Sequence, residues 1–356
     1  MAKGCIGLFA YWPSGASRPS DVACGGGCGP TATCSCGRHR VEWGSASPAT
    51  EGHLTVAFGD GVHACAAAVN GATLAVRDPQ RQRVAFVWNA SDETLAILSH
   101  TWRIERVLEP KGGARGRKAV VLDGGSRPLS RAIFWDTDHL VMPRDGKLEK
   151  LWDFAPHSSL VATPESPGCF NSGFFMFRPS AHRRAEYEAL LTSGLRVRRC
   201  DKGWRPLTDQ SYLNVLYDAH AYRTNFAKLL RRMRANESMG GGAAVSGYTP
   251  LDPLVWKVRT PFGSIPNDHH GCLNARAEFE RITDSFHFFD RMAPWHPNAS
   301  YFLSSMHIDP QCSGQAVAGE FWREMLAGLP DDVQRVCRGR LERFLASGSA
   351  YNARKP

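Results

Sequence analysis

The triplet Asp136-Thr137-Asp138 closes an apolar run, Arg131-Ala-Ile-Phe-Trp135, and it is the sharpest chemical signal in the sequence. In an extended segment residues i and i+2 point the same way, so both carboxylates can converge on one hard divalent cation just past the strand's carboxyl end. That edge is where open α/β sheets bind ligands. Alone, a D-x-D is unspecific, because acidic pairs that end strands also serve as caps or as loop solubility. Three further polar groups follow in order. Phe170-Asn171-Ser172-Gly173-Phe174 keeps an amide inside an apolar run. Thr208-Asp209-Gln210 precedes an amphipathic stretch beginning at Tyr212, so Asp209 reads either as a chemical carboxylate or as a helix N-cap. His287-Phe-Phe-Asp-Arg-Met-Ala-Pro294-Trp295 places an imidazole late in the chain.

The elements that must carry these residues read as an α/β layered fold, with short apolar strands alternating with amphipathic helices from Leu54 onward. Strands are expected over 54–58, 83–88, 104–108, 131–135 and 173–177, with a helix over 64–76. Ser180 caps a helix whose apolar residues Tyr187, Leu190 and Leu191 precede a stop at Gly194. Two last helices fit Phe321, Trp322, Met325, Leu326 and Leu329, then Val333, Val336, Cys337, Leu341 and Phe344. Residues 239–271, rich in Gly, Pro and His, read as a long loop. Residues 1–50 read as a flexible Gly- and Cys-rich extension. Cys24, Cys28, Cys34, Cys36 and His39 within it could bind zinc but lack paired C-x2-C spacing. The expected division is 1–50 extension, 51–305 nucleotide-sugar domain and 306–356 helices.

In that order the four polar segments resemble glycosyltransferase family 8, the family of glycogenin, galactinol synthase and bacterial lipooligosaccharide galactosyltransferases. Its members carry a hydrophobic strand, D-x-D, N-S-G or N-A-G, a D-Q pair and H-x-x-G-x-x-K-P-W, and the resemblance runs from about Leu54 to Tyr301. It implies a GT-A fold, a Rossmann-like and mostly parallel sheet flanked by helices. It also implies a UDP-sugar donor, Mn²⁺ (or Mg²⁺), and transfer with retention to a glycan, polyol or protein acceptor. Asp136, Asp138 and His287 would be metal ligands, with Thr137 beside them. Asn171, Ser172 and Gly173 would line the sugar pocket, and Asp209, Gln210 and Asn171 would act on the transferred sugar. Phe58 and Asp60 would meet uracil and ribose, and Lys118 would be the basic residue at the nucleotide. Four positions depart from the pattern: Gly59 stands for Asn, Val62 for the Tyr against the base, Asp290 for Gly, and Ala293 for the Lys that grips the diphosphate. Arg291 or His296 could replace that lysine.

The whole chain agrees with such a protein without specifying it. It has 356 residues, 43% hydrophobic and 22% charged, enough for a sizeable core, so a peptide hormone or a lone zinc finger is excluded. Lys+Arg 43 against Asp+Glu 34 gives +9, which favours an anionic ligand such as a nucleotide diphosphate. No compact basic run supports nucleic-acid binding, and Arg231, Arg232 and Arg234 read as a solvated helix face. No stretch is apolar enough to span a bilayer, and the run 6–12 is short for a signal peptide. The eleven cysteines, odd and dispersed, argue against a framework of disulfides and are compatible with reduced, buried thiols. These features point to the cytoplasm, with the secretory lumen and its sequons at Asn89, Asn236 and Asn298 as the alternative. A homodimer fits self-glucosylation of a tyrosine such as Tyr222 or Tyr248.

Overall fold

The computed structural model describes residues 8–11, 20–23, 34–36, 39–41, 50–126, 128–141, 148–153, 160–166, 169–193, 208–217, 248–250, 285–288 and 314–352. The chain divides into two units, Met1–Ser47 and Pro48–Pro356. The first holds two antiparallel strand pairs, β1 (Leu8–Tyr11) with β2 (Ser20–Ala23) and β3 (Cys34–Cys36) with β4 (His39–Val41).

In the second unit, β5 (Glu51–Phe58), α1 (Val62–Arg77), β6 (Gln82–Trp88), α2 (Asp92–Ser99) and β7 (Arg103–Arg106) form two successive crossovers. Two 3-10 turns, Gly113–Arg115 and Arg117–Val121, lead to β8 (Arg131–Trp135), β9 (His139–Val141) and α3 (Leu148–Asp153). Then come β10 (Leu160–Ser166), β11 (Cys169–Phe177), α4 (Ala181–Thr192), α5 (Asp209–Leu216), β12 (Tyr248–Pro250), β13 (Ser285–His287), α6 (Gly314–Ala327) and α7 (Asp331–Asn352). Each strand expected above is present, and Ser180 caps α4 by accepting from the Arg183 N–H. Strand β12 falls inside the stretch expected to be loop.

The main sheet has the order β12-β10-β11-β8-β5-β6-β7. Strands β8, β5, β6 and β7 are mutually parallel, and β11 runs antiparallel to both β8 and β10. Helices cover both faces, so the central strands read as unbroken apolar runs, and all nine residues of β11 are buried. One face packs on α4 and α5 through Tyr187, Tyr212 and Leu213. On the other, the alanine-rich α1 packs beneath α6 and α7 through Val69, Trp322 and Leu326. The chain winds outward from β5 through β6 to β7, then returns to the other side of β5 as β8. The strand order therefore reverses between β5 and β8, which makes their carboxyl ends the expected ligand crevice.

A buried polar network fixes the opposite edge of the sheet. The Trp135 indole N–H can only donate and does so to His53 Nδ1 at 3.1 Å, which leaves the His53 Nε2–H to donate to Asp78 at 3.0 Å. Burial lowers the His53 pKa, so the imidazole is neutral. Asp78 also accepts from the Trp152 indole at 2.7 Å and from Arg81 at 2.9 Å. Glu51 joins Arg81 and Arg131. The network thus grips Trp135, the residue immediately before Asp136.

Helix α1 lies close to its neighbours because Gly71 has no side chain. A Cβ there would collide with the Trp102 indole nitrogen, whose N–H donates to the Ala67 carbonyl at 2.7 Å.

The expectation of reduced cysteines is corrected. Cys65 of α1 is bonded to Cys337 of α7, with Cα atoms 5.6 Å apart across a sequence separation of 272, and Cys169 is also disulfide-bonded. Both Cys65 and Cys337 are fully buried, so each looks like an inert core thiol until the packing of α7 on α1 brings them together.

Candidate active site

Asp136, Thr137 and Asp138 are not extended, as expected from sequence, but form the tight turn joining β8 to β9. His139 N–H closes the turn on the Asp136 carbonyl at 3.0 Å, and Asp136 N–H donates to the Gly173 carbonyl at 2.8 Å. The turn, rather than strand alternation, therefore presents the two carboxylates. Strand β13 pairs antiparallel with β9 and sets His287 opposite His139, while Phe288 N–H donates to the Asp138 carbonyl at 2.8 Å. The backbone of the late histidine is thus brought beside the D-x-D turn. The His287 side chain lies outside the described residues, as do Asp290, Arg291, Ala293 and His296. Among the described residues no group of three or more His, Cys, Asp or Glu side chains forms a metal-holding cluster.

Lys118, on the 3-10 turn Arg117–Val121, is the centre of the cleft. Its ammonium lies 2.9 Å from Asp136 Oδ2 and 2.7 Å from Asp209 Oδ2, and donates to the Ser172 carbonyl at 2.8 Å and the Ser172 hydroxyl at 3.1 Å. The Lys118 side chain is only 5% exposed. Burial alone would lower its pKa, but Asp136 and Asp209 outweigh that and raise it. Burial pushes Asp136 up to about 6; Lys118 opposes this, and the neighbouring Asp138 and Asp209 charges add to it. Asp136 keeps 27% of its side chain exposed, and its second oxygen makes no hydrogen bond among the described residues.

Strand β11 and helix α5 supply the opposite wall. Since β11 runs antiparallel to β8, with Phe174 opposite Trp135, the residues just before Phe174 lie alongside the D-x-D turn. The Asn171 carboxamide accepts from Gly173 N–H at 2.8 Å and donates to Gln210 Oε1 at 3.2 Å. Gln210 Oε1 also accepts from Ser172 N–H at 3.3 Å, while its Nε2 is buried with no hydrogen-bond partner among the described residues. Thr208 is the N-cap residue and Asp209 the first helical residue of α5, so Asp209 is not the cap; it faces Lys118. Asn214, which the sequence reading missed, clamps α5 to β11. Its Oδ1 accepts from Phe170 N–H at 2.7 Å and its Nδ2 donates to the Phe170 carbonyl at 3.0 Å. A buried asparagine four residues after Gln210 was the available signal.

At the nucleotide end, Phe58 closes β5 and stacks on Trp88 with ring centroids 5.5 Å apart. Gly59 has φ +61°, in the left-handed region that Gly adopts most readily and Asn next. Val62 is buried against α6 and α7. The next residue, His63, is exposed and sits 6.4 Å from the Phe58 ring, with Nδ1 3.1 Å from the Thr137 hydroxyl. A ring is therefore present at the cleft, one position later than the motif led the sequence reading to look.

Asp60 uses one carboxylate oxygen to accept from Thr94 Oγ1 at 2.6 Å, Ser91 Oγ at 2.7 Å and Ser91 N–H at 2.8 Å, tying the β5–α1 loop to the start of α2. These bonds, Thr94 first, lower its pKa to about 2. Because the folded pKa is depressed, the stabilisation is full above the ordinary carboxylate range and is lost as pH falls toward 2. Asp60→Asn should lower Tm by about 2–4 °C at pH 7, and the gap from wild type should narrow as pH drops below about 4. Thermal melts across pH 7 to 3 check this, and a gap constant with pH would exclude the assignment.

Fold and site together define an α/β protein with a lysine-bridged cluster of carboxylates at its topological switch point. No protein-family model matches the chain, and no curated protein matches it. Among solved structures, the galactosyltransferase LgtC in complex with donor and acceptor sugar analogues is similar at 14% identity and a TM-score of 0.48, over 82% of this chain and 99% of that one. The bifunctional glycosyltransferase WbbM is similar at 12% identity and a TM-score of 0.48, over 82% of this chain and 52% of that one. GlyE, a glycosyltransferase of Streptococcus pneumoniae TIGR4, is similar at 13% identity and a TM-score of 0.42, over 77% and 64%. These likenesses leave the chain's family unassigned.

Proposed function

We propose that this chain is a metal-dependent retaining glycosyltransferase that moves a hexose from a UDP-sugar to a glycan, polyol or protein acceptor. One observation carries the reading. Three of the four segments that carry the resemblance, at Asp136, Ser172 and Asp209, far apart in the chain, meet around the Lys118 ammonium.

The charge of the cleft supports a cation. Asp136, Asp138 and Asp209 set three carboxylates around the Lys118 ammonium, and burial first, with the Asp138 and Asp209 charges adding to it, pushes Asp136 up against the pull of Lys118. A divalent ion would offset that excess, and two carboxylates with an imidazole suit Mn²⁺. Asp136, Asp138 and His287 would hold it. When bound, the ion supplies Lewis-acid stabilisation of the diphosphate leaving group.

This chain's own residues do the rest. Lys118 holds Asp136 and Asp209 at a fixed separation and screens their repulsion. Gln210, with its unpartnered Nε2 and its Oε1 anchored by Asn171 and Ser172, is oriented to donate to a sugar hydroxyl. Asp209 stabilises the oxocarbenium-like state on the sugar. The disulfide between Cys65 and Cys337 supports the secretory lumen over the cytoplasm as the working compartment.

A panel of UDP-glucose, UDP-galactose and UDP-xylose, with Mn²⁺ and with excess chelator, tests the proposal. Mn²⁺-dependent consumption of one donor, with or without a mass gain on the protein itself, is the expected result. UDP binding with no product from any donor would favour the alternative, a binding protein without turnover, which the departures at Val62, Asp290 and Ala293 motivate.

A further inference from the structure

We infer that Arg117 supplies the diphosphate-binding cation that the late motif lacks at Ala293; this rests on the nucleotide-sugar reading above. The two basic residues of the turn Arg117–Val121 are used differently. Lys118 is turned inward, and all of its donor capacity goes to Asp136, Asp209 and Ser172. It is internally neutralised and has no charge to spare for a ligand.

Arg117 is half-buried at the carboxyl edge of the sheet, its guanidinium 3.9 Å above the Phe58 ring. It makes no ion pair or hydrogen bond among the described residues. Phe58 is itself braced by Trp88, so the ring is a fixed platform. A guanidinium lying on a ring face keeps its N–H donors at its edges, where they can grip a phosphate in a bidentate fork. The location fits as well. The Phe58 ring that carries Arg117 lies 6.4 Å from the His63 ring, whose Nδ1 is 3.1 Å from the Thr137 hydroxyl. Arg117 and the D-x-D turn therefore flank the same imidazole, with Arg117 on the side of the strand end that presents Phe58. A diphosphate held at the turn would pass within reach of a cation that has no carboxylate partner among the described residues.

The test is calorimetric binding of UDP, UMP and uridine in the presence of Mn²⁺ to the full chain, for wild type, Arg117→Gln and Arg117→Lys, with thermal melts confirming the fold of each variant. Arg117→Gln is expected to weaken UDP binding about 10- to 100-fold while weakening uridine binding much less, so that the preference of UDP over uridine collapses. Arg117→Lys should restore most of that preference, because charge is kept and only the fork is lost. If wild type and Arg117→Gln bind UDP equally, or if uridine and UDP weaken by the same factor, the inference falls and the nucleotide-sugar reading stands. If wild type binds no UDP, both fall together.

Discussion

Asp138→Asn is expected to reduce Mn²⁺-dependent donor turnover by about 10²–10³-fold or more while the protein stays folded. Asparagine has nearly the shape of aspartate but carries no charge, so the change removes the carboxylate proposed to hold the metal and keeps the side chain's volume. One structural tie at this residue is its backbone carbonyl, which accepts from Phe288 N–H and survives the substitution. The β9–β13 pairing that sets His287 opposite His139 should therefore persist. Turnover with the preferred UDP-sugar, compared with melting temperature and circular dichroism, separates the two effects. A variant that unfolds, or one that keeps full turnover, would remove Asp138 from the site, and full wild-type activity in excess chelator would remove the metal.

The second large effect is expected at Lys118, and it is first an effect on stability. The ammonium is buried between Asp136 and Asp209, with Asp138 close enough to add its own repulsion. Removing one member of a buried ion cluster leaves the others unbalanced, a cost of about 3–5 kcal/mol. Lys118→Met keeps an unbranched apolar side chain of similar length and deletes the ammonium, which lies 4.9 Å from the Phe134 ring centroid. It should lower Tm on the order of 10 °C and abolish turnover. Adding Asp209→Asn should return part of the lost stability, since one of the stranded carboxylates is then gone. A double-mutant cycle in denaturant measures this coupling. Strictly additive losses would show that Lys118 and Asp209 do not depend on each other and that the ion cluster is not a coupled unit.

What sequence made legible was whatever local pattern encodes. Strand β8 ends at Trp135 because the apolar run ends there, and Ser180 announces α4 because a hydroxyl before an amphipathic run satisfies a free backbone N–H. The residues of the cleft were legible for a related reason: polar groups that interrupt apolar runs, such as Asn171, stand out when burial is the rule. What was illegible depended on three-dimensional proximity. The spacing from Lys118 to Asp136 gave no hint that a 3-10 turn would place its ammonium on that carboxylate. The D-x-D geometry comes from a turn closed by the Asp136 carbonyl and His139, where alternation along a strand was expected. His63 was passed over because the motif drew attention to Val62, and only the start of α1 decides which of two adjacent residues faces the core. The pairing of Cys65 with Cys337 is set by the docking of α7 on α1, which no spacing rule encodes.

That pairing makes a ring of the polypeptide it spans. Lys118, the D-x-D turn, Asn171 to Gly173, Asp209, Gln210 and His287 are all threaded on the ring, while Phe58, Asp60 and His63 sit just upstream of its knot. Such closure restricts the unfolded chain, an effect worth about 5 kcal/mol in the chain-entropy picture. It also means that a single protease cut anywhere between the two cysteines yields two fragments that remain one particle. The two fragments would separate on a gel only after a reductant opened the ring, and the parts of the proposed transfer machinery would stay covalently joined after scission.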